Sequence, residues 1–241
     1  MIVSYVTSYI KEIGRQYRSC FSNKHILFSF FTGIFVFAAA LVISSYAVGF
    51  ATASASNPVT DLILDNIRVY DVDGFFVNGA VIMGLFIIAV CFLWPHRLPF
   101  TAKAIALFIV TRSLFIILTH IGSFPTQAVI DPSTQNLIQD VIGTNLYSSL
   151  FLGKDSFFSG HTGLPFLMAY LYWDKRWLRY IFIALSIMFG VVVLLGHLHY
   201  TIDVLSAFFI SYGVYRMARI LFSRDFHELS KSGNEASYQW K

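Results

Sequence analysis

Long apolar runs separated by short polar segments dominate the chain. A membrane-spanning helix needs about 20 mostly apolar residues, and six runs approach or exceed that length. Their approximate limits are 26–50, 75–94, 101–121, 157–173, 178–197 and 201–222. The pattern predicts an all-α fold, a polytopic membrane protein with six transmembrane helices. The fourth run is the shortest and begins with polar residues.

The segments outside these runs are small. Residues 1–25 are predicted as a cytoplasmic or interfacial N-terminal segment, 26–222 as the six-helix transmembrane domain, and 223–241 as a cytoplasmic tail. Residues 1–22 and 127–150 are expected to form interfacial or loop helices. The first apolar run exceeds the hydrophobic region of a signal peptide, so we interpret it as a retained span.

The basic residues indicate an orientation, because short cytoplasmic loops collect Lys and Arg. Four basic segments fall on one side of the predicted topology: Lys11, Arg15, Arg18 and Lys24; Arg97 and Lys103; Lys175, Arg176 and Arg179; Arg216, Arg219 and Arg224. The other side has mainly aspartates, and tryptophans mark several span ends on the basic side. Both termini are therefore predicted to be cytoplasmic.

Composition supports a membrane environment and argues against a nucleic-acid partner. Hydrophobic residues make up 56% of the chain and charged residues only 12%, which does not fit a soluble surface. The net charge is only +4, and the basic residues flank apolar runs instead of forming one face, so no nucleic-acid partner is predicted. Cys20 and Cys91 lie in different kinds of segment, so no disulfide is expected.

Three polar clusters lie at the predicted non-cytoplasmic ends of spans. This shared location is the main functional signal in the sequence. The clusters are residues 154–162 before the fourth span, residues 197–203 before the sixth, and Arg112 with Thr119 and His120 in the third.

His199 and Asp203 are spaced i and i+4, so on a helix their side chains share a face. The carboxylate would then hold one imidazole nitrogen and leave the other as a nucleophile or base. The alternative is a buried pair that only fastens helix ends. Ionisable groups inside a membrane are costly and usually functional, which favours the chemical role.

Ser159, Gly160 and His161 begin the fourth predicted helix. A helix start offers unpaired backbone N–H groups and the positive end of the dipole, which suit a phosphate. His161 would then lie beside the anion. The alternative is an ordinary helix N-terminus with no ligand.

Arg112 lies about halfway along an apolar span and needs an anion or a water-filled cavity. Either it pairs with Asp203 or Asp155 as a structural contact, or it binds phosphate oxygens, which suit the guanidinium geometry. The spacing His197-x-His199 also allows a metal, but no further ligands complete a zinc pattern. No metal or other cofactor is predicted.

These residues resemble the sphingomyelin synthase branch of the type 2 phosphatidic acid phosphatase superfamily. Its motif Cys-Gly-Asp-x-x-x-Ser-Gly-His-Thr is matched from Asp155 to Thr162, and its motif His-Tyr-Thr-x-Asp-Val from His199 to Val204. Residues 57–66 resemble the family's Pro-Leu-Pro-Asp segment, and Arg112 with Thr119 resembles its third-span motif. The resemblance covers residues 57–222.

The resemblance implies a metal-independent enzyme that moves a phospho-headgroup from a phospholipid to a lipid alcohol, ceramide or diacylglycerol, or to water. It implies that His199 attacks phosphorus, Asp203 orients it, and His161 serves as acid and then base. Asp155 would support His161. The expected binding residues for phosphate and headgroup are Arg112, Ser159, Gly160, Lys154 and Tyr200.

Two departures from the family pattern concern the headgroup and acceptor. Gly153 and Lys154 replace the family's Cys-Gly, and Thr60 replaces its second proline. A lipid phosphate phosphatase, in which water is the acceptor, is therefore kept as an alternative. A non-enzymatic lipid transporter or scramblase, with Arg112 and the histidines along a headgroup path, is another. The site is expected at the non-cytoplasmic face, and the pattern indicates no oligomeric state.

Overall fold

The computed structural model describes residues 2–119, 121–128 and 157–232. Within these ranges the regular elements are helices and no strand is present. The helices are α1 (Ile2–Ser22), α2 (Lys24–Ala53), α3 (Gly79–Leu93), α4 (Leu98–Thr119), α5 (Gly160–Leu171), α6 (Arg176–Leu195), α7 (Thr201–Leu221) and α8 (Ser223–Ser232). The predicted all-α class is confirmed for this part of the chain.

Five helical segments are long and apolar enough to cross a membrane. They are Lys24–Ala53, Gly74–Leu93, Pro95–Thr119, Arg176–Leu195 and Thr201–Leu221. Each lies within a few residues of a predicted span. The remaining predicted span, 157–173, corresponds to α5, which has only 12 residues. The count of six spans, the cytoplasmic termini and the division at residues 25 and 222 stay predictions.

The short helix α5 lies in the interior of the bundle. Twelve residues extend ~18 Å, less than the roughly 30 Å of a hydrocarbon core. Leu167, Met168 and Ala169 are fully buried, and α5 packs against α4, α6 and α7. This length and burial are typical of a helix in the core of a bundle.

Hydroxyl groups and glycines bring the neighbouring helices close to α5. Ser186 of α6 donates to the carbonyl of Thr162 at 2.7 Å, and Ser211 of α7 donates to the carbonyl of Gly163 at 2.9 Å. A Cβ at Gly163 would lie 2.9 Å from both the Phe108 ring and Ser211 Oγ. Small residues and such hydrogen bonds commonly join helices in membranes. They fix the position of α5 between its neighbours.

The helices meet at two ends that differ in character. At one end α2, α4 and α6 finish while α3, α5 and α7 begin, and we call this the site end. Loops are fastened there, for example by Tyr70 N–H, which donates to the Leu195 carbonyl at 2.9 Å. At the opposite end Lys103 contacts both Ser29 and Asp225. The predicted basic segments thus share this opposite end. The side of the membrane that the opposite end faces stays a prediction.

Cys20 and Cys91 are free thiols, as expected. Cys20 is buried where α1 meets the turn before α4, with its Sγ atom 3.1 Å from His96 Nδ1. Nearby, Tyr17 of α1 donates to the Phe92 carbonyl at 2.9 Å. These contacts hold α1 against the opposite end of the bundle. The predicted helix within 127–150 falls mostly outside the described residues.

A buried ion pair between Arg97 and Asp174 should dominate the stability of the opposite end. The guanidinium binds both carboxylate oxygens at 2.6 and 2.7 Å, and the two side chains are only 7% and 8% exposed. Asp174→Asn should lower the free energy of unfolding in detergent by about 3–5 kcal/mol, because it leaves a buried guanidinium uncompensated.

Lys175 provides the matched control for that variant. Its ammonium lies 3.6 Å from the same carboxylate, but its side chain is 36% exposed. Lys175→Gln should change the free energy of unfolding by about 0–1 kcal/mol. Equal effects of the two substitutions would contradict the assignment of the buried pair as the main contact.

Candidate active site

The starts of α5 and α7 are joined at the site end by their backbones. Ser159 N–H, immediately before α5, donates to the carbonyl of Asp203 in the first turn of α7 at 3.1 Å. The two predicted polar clusters therefore meet in space, although His161 and Asp203 are 42 residues apart in the sequence. His161 lies just inside α5 and His199 just before α7.

His199 contacts Asp203 as predicted, but through a different local geometry. Nδ1 of His199 lies 3.4 Å from Oδ2 of Asp203. The prediction that both side chains lie on one face of a helix is wrong, because α7 begins at Thr201 and Tyr200 is its N-cap. His199 precedes the helix, and the carboxylate of Asp203 turns back toward it from the first helical turn. Nε2 is the ring nitrogen that does not face Asp203.

The carboxylate of Asp203 is buried with few compensating contacts. Oδ2 accepts a hydrogen bond from Tyr200 N–H at 2.9 Å, the backbone contact of a capping box. Among the described residues Oδ1 is buried and has no hydrogen-bond partner. A buried carboxylate of this kind stabilises positive charge on an adjacent imidazole. His199 takes on that charge when Nε2 forms a bond.

His161 lies between two aromatic rings near the other site groups. The Phe76 ring centroid is 4.5 Å from that of His161, and the Phe189 centroid is 5.9 Å away. His161 follows Gly160, which lies beside Arg112 Nε, and the hydrogen bond between Ser159 and Asp203 brings this helix start to the start of α7. Pro165 has no N–H to donate to the His161 carbonyl within α5. The structure thus gathers the two predicted histidines and the predicted arginine.

Arg112 reaches from α4 to the start of α5. Its Nε atom donates to the Phe158 carbonyl at 3.1 Å. Gly160 leaves room for the guanidinium, since a Cβ there would lie 3.3 Å from Arg112 Nε. The arginine is therefore held beside the N-terminus of α5. The alternative partner Asp155 lies outside the described residues, as do Lys154 and His120 of the predicted clusters.

Ser159 differs from its predicted role as part of an anion-binding helix start. Its side chain caps α5 by accepting from Thr162 N–H at 3.4 Å and from the Thr162 hydroxyl at 3.1 Å. Its own N–H is used by Asp203, and the residue is fully buried. The prediction of an unpaired N–H at Ser159 is wrong. The helix start can present only the N–H groups of Gly160 and His161, which have no intrahelical acceptor.

Tyr200 is also engaged in structural contacts. Its hydroxyl donates to the Gly122 carbonyl at 2.9 Å and accepts from Val59 N–H at 3.2 Å. The side chain is only 2% exposed. This geometry favours a role in fastening loops to the start of α7, and a contact with the lipid headgroup stays a prediction.

Asp61 is the most extensively bonded side chain near the site, and the binding residues predicted above did not include it. Oδ2 accepts from Thr201 N–H and Oδ1 from the Thr201 hydroxyl, each at 2.7 Å. Burial raises the pKa of Asp61, but hydrogen bonds from Thr201, Leu64 and Ile63 outweigh burial and leave that pKa below its ordinary value. Asp61 is therefore an anion at neutral pH. The only feature of the sequence that pointed to Asp61 was its place in the segment that resembles the family's Pro-Leu-Pro-Asp.

His197 and His199 face different partners. Nδ1 of His197 is hydrogen-bonded to Thr126 Oγ1 at 2.6 Å, and its ring packs edge-on against Phe124. Burial lowers the pKa of His197, although the negative charge of Asp61 opposes that shift. The backbone of His197 has φ 52°, in the left-handed region. This conformation turns the chain between α6 and α7.

Comparison with protein families gave one match, which covers part of the chain. Residues 154–220 match the family model described as PAP2 superfamily C-terminal. The match contains His161, His199 and Asp203, and it covers α5, α6 and nearly all of α7. No significant match was found among curated proteins or among solved structures.

Gly160→Ala should weaken phosphate binding without destabilising the fold. The added methyl would stand 3.3 Å from Arg112 Nε and 3.5 Å from Cδ, so the guanidinium has to shift. We expect roughly tenfold weaker binding of inorganic phosphate, since a hydrogen bond to a charged group is worth about 1.5–3 kcal/mol. Titration calorimetry in detergent measures this affinity. The unfolding temperature should not fall, because Ala favours a helix over Gly.

Gly84→Ala is the control, because a Cβ at Gly84 of α3 would meet nothing within 4 Å. It should leave phosphate affinity unchanged. If Gly160→Ala bound phosphate as tightly as the control, Arg112 would not be the anion-binding group at the start of α5.

Proposed function

Starting from the match over residues 154–220, which supports membership of the PAP2 superfamily and a lipid phosphatase or phosphotransferase type of function, we propose a lipid phosphotransferase. It moves a phospho-headgroup from a phospholipid to a lipid alcohol or to water through a phosphohistidine at His199. The observation that carries this proposal is geometric: the hydrogen bond from Ser159 N–H to Asp203 brings the start of α5, with His161, to the start of α7, where Asp203 contacts His199. Arg112 lies beside the same start of α5.

The first half of the reaction forms a bond between His199 and phosphorus. Asp203 holds Nδ1, so the lone pair of Nε2 attacks the phosphorus of the donor. The bond from phosphorus to the diacylglycerol oxygen breaks, and that oxygen takes a proton from His161. Diacylglycerol leaves, and the phospho-headgroup remains on His199. Nucleophilic catalysis of this kind divides one difficult displacement into two easier ones.

The second half transfers the headgroup to the acceptor. Neutral His161 takes the proton of an alcohol or water, whose oxygen attacks phosphorus as the bond to Nε2 breaks. Arg112 and the first-turn N–H groups of α5 stabilise the phosphate oxygens in both halves. The residues of the chain supply every proton and charge in this scheme, and it uses no cofactor.

The resemblance of residues 57–222 to sphingomyelin synthases supports ceramide or diacylglycerol as the acceptor and a donor from the outer leaflet. In this proposal Asp155 supports His161, and Lys154 and Tyr200 lie toward the headgroup. The protein is then an integral membrane enzyme with its site at the non-cytoplasmic face. Five apolar helices and the family match support the membrane location.

Purified protein in liposomes should transfer a labelled headgroup from phosphatidylcholine or phosphatidylethanolamine to ceramide or diacylglycerol. His199→Ala should lower this turnover by roughly 10³-fold or more, as expected on loss of a nucleophile. Mass spectrometry of the lipid products measures the transfer. His25→Ala, at the opposite end of the bundle, is the control and should retain activity.

The same assay separates the competing functions. Free phosphate from phosphatidic acid without transfer to any lipid alcohol would assign the protein as a phosphatase. Lipid flipping with no chemical conversion would assign a scramblase or transporter. Unchanged conversion by His199→Ala would remove the phosphohistidine from the mechanism.

The face of the site is tested by cysteine labelling in a background without Cys20 and Cys91. Leu62 at the site end is 85% exposed, and Arg224 at the opposite end is exposed. In intact cells a membrane-impermeant maleimide should label Leu62→Cys, whereas Arg224→Cys should react only after lysis. The reverse pattern would place the site at the cytoplasmic face.

A further inference from the structure

The turn that carries His199 is short and is not part of a helix. It connects the end of α6 at Leu195 to the start of α7 at Thr201. A residue before a helix N-cap has no intrahelical hydrogen bond to fix it. On the α6 side the turn is held by the N–H groups of His197 and Leu198, which donate to the carbonyls of Leu194 and Val193 at 3.1 and 2.8 Å. On the α7 side, contacts from other segments hold the residues that follow His199.

Asp61 supplies such contacts from the loop after α2. Four hydrogen bonds converge on its carboxylate: two from Thr201, through N–H and hydroxyl, and two from the N–H groups of Ile63 and Leu64 at 2.9 and 3.1 Å. Asp61 thus caps its own turn and the start of α7 together. Thr201 stands two residues after His199 and two before Asp203.

Tyr200 ties the same turn to the same loop. Its hydroxyl accepts from Val59 N–H, two residues before Asp61, and donates to the Gly122 carbonyl beyond α4. The residue between His199 and Thr201 is therefore anchored on two other segments. Together with Asp61, it holds the His199 turn against the loop at residues 59–64.

We propose that Asp61 is a positioning residue that holds His199 in line for attack by fixing Thr201 from the loop after α2. This inference rests on the proposed function for its catalytic consequence. A carboxylate is suited to the role because its two oxygens accept from four donors. An amide retains only one oxygen and presents an N–H₂ group toward a donor N–H. A shift of about 1 Å in a reacting group can lower a rate by 100-fold.

The test compares Asp61→Asn with Asp65→Asn. Asp65 lies in the same loop, and its carboxylate accepts from Asp61 N–H at 3.0 Å without a described contact to α7. Both substitutions remove one negative charge. We expect kcat to fall 10- to 100-fold for Asp61→Asn with KM within about threefold, since donor binding is left in place. Asp65→Asn should change kcat by less than about threefold.

A second pair of variants changes Thr201, the donor of the hydrogen bonds to Asp61. Thr201→Ser keeps the hydroxyl that Asp61 accepts and should retain the wild-type kcat. Thr201→Val is similar in shape but lacks the hydroxyl, so it should lower kcat in the direction of Asp61→Asn. Loss of activity by both Thr201 variants would indicate a packing effect and would count against the proposal.

Chemical modification tests the position of His199 independently of turnover. His199 is 7% exposed, so it should react slowly with diethyl pyrocarbonate in the wild type. Asp61→Asn should raise the modification rate of His199 at least about fivefold, read by mass spectrometry of the peptide, and Asp65→Asn should not. The modification of exposed His227 serves as the internal standard.

The outcomes separate this inference from the proposed function. Unchanged modification of His199 in Asp61→Asn overturns the inference, even if the wild type transfers headgroups normally. Faster modification of His199 with unchanged kcat would show that the contact between Asp61 and Thr201 has no catalytic role. A wild type that converts no donor contradicts the proposed function, and the modification rates then still decide whether Asp61 fixes His199.

Discussion

One backbone hydrogen bond, from Ser159 N–H to the Asp203 carbonyl, joins the two halves of the candidate site. It places the first turn of α5 beside the first turn of α7, so that His161 and His199 share one end of the bundle. Neither residue of this bond performs the contact through its side chain. The side chains remain available for other tasks, Ser159 Oγ as the cap of α5 and the Asp203 carboxylate as the partner of His199.

The helix that follows this bond, α5, is short and lies in the interior of the bundle. A helix that begins at the level of the site and is surrounded by α4, α6 and α7 brings its dipole and its first-turn N–H groups into the bundle, away from lipid. Arg112 then approaches that positive helix end through the space left by Gly160. A guanidinium beside a helix N-terminus is an arrangement that favours negative charge. In the proposed function, that charge is the phosphate of a lipid at the end of the bundle.

Hydropathy was sufficient to predict five long helices, because a span must be apolar over its whole length. It does not set the length of α5, since a short buried helix and a span share the same composition, and the sixth span stays a prediction. The contact of His199 with Asp203 was predicted from an i, i+4 spacing, although it forms across a helix start, where a capping carboxylate turns back toward the preceding residues. The tertiary use of Ser159 N–H could not be predicted, because every residue except proline carries that group. Phe76 and Asp61 reach the site from distant segments, and only the fold brings them there.

In the proposed reaction, His199, His161 and Arg112 act on one phosphorus atom. This arrangement can be tested by an experimental structure of the protein in lipid nanodiscs with orthovanadate, an analogue of the pentacoordinate transition state. We expect vanadium bonded to Nε2 of His199, its equatorial oxygens against Arg112 and the first turn of α5, and His161 at the apical oxygen opposite His199. Vanadate bound elsewhere, or an imidazole of His161 turned away from the vanadium, would contradict the account.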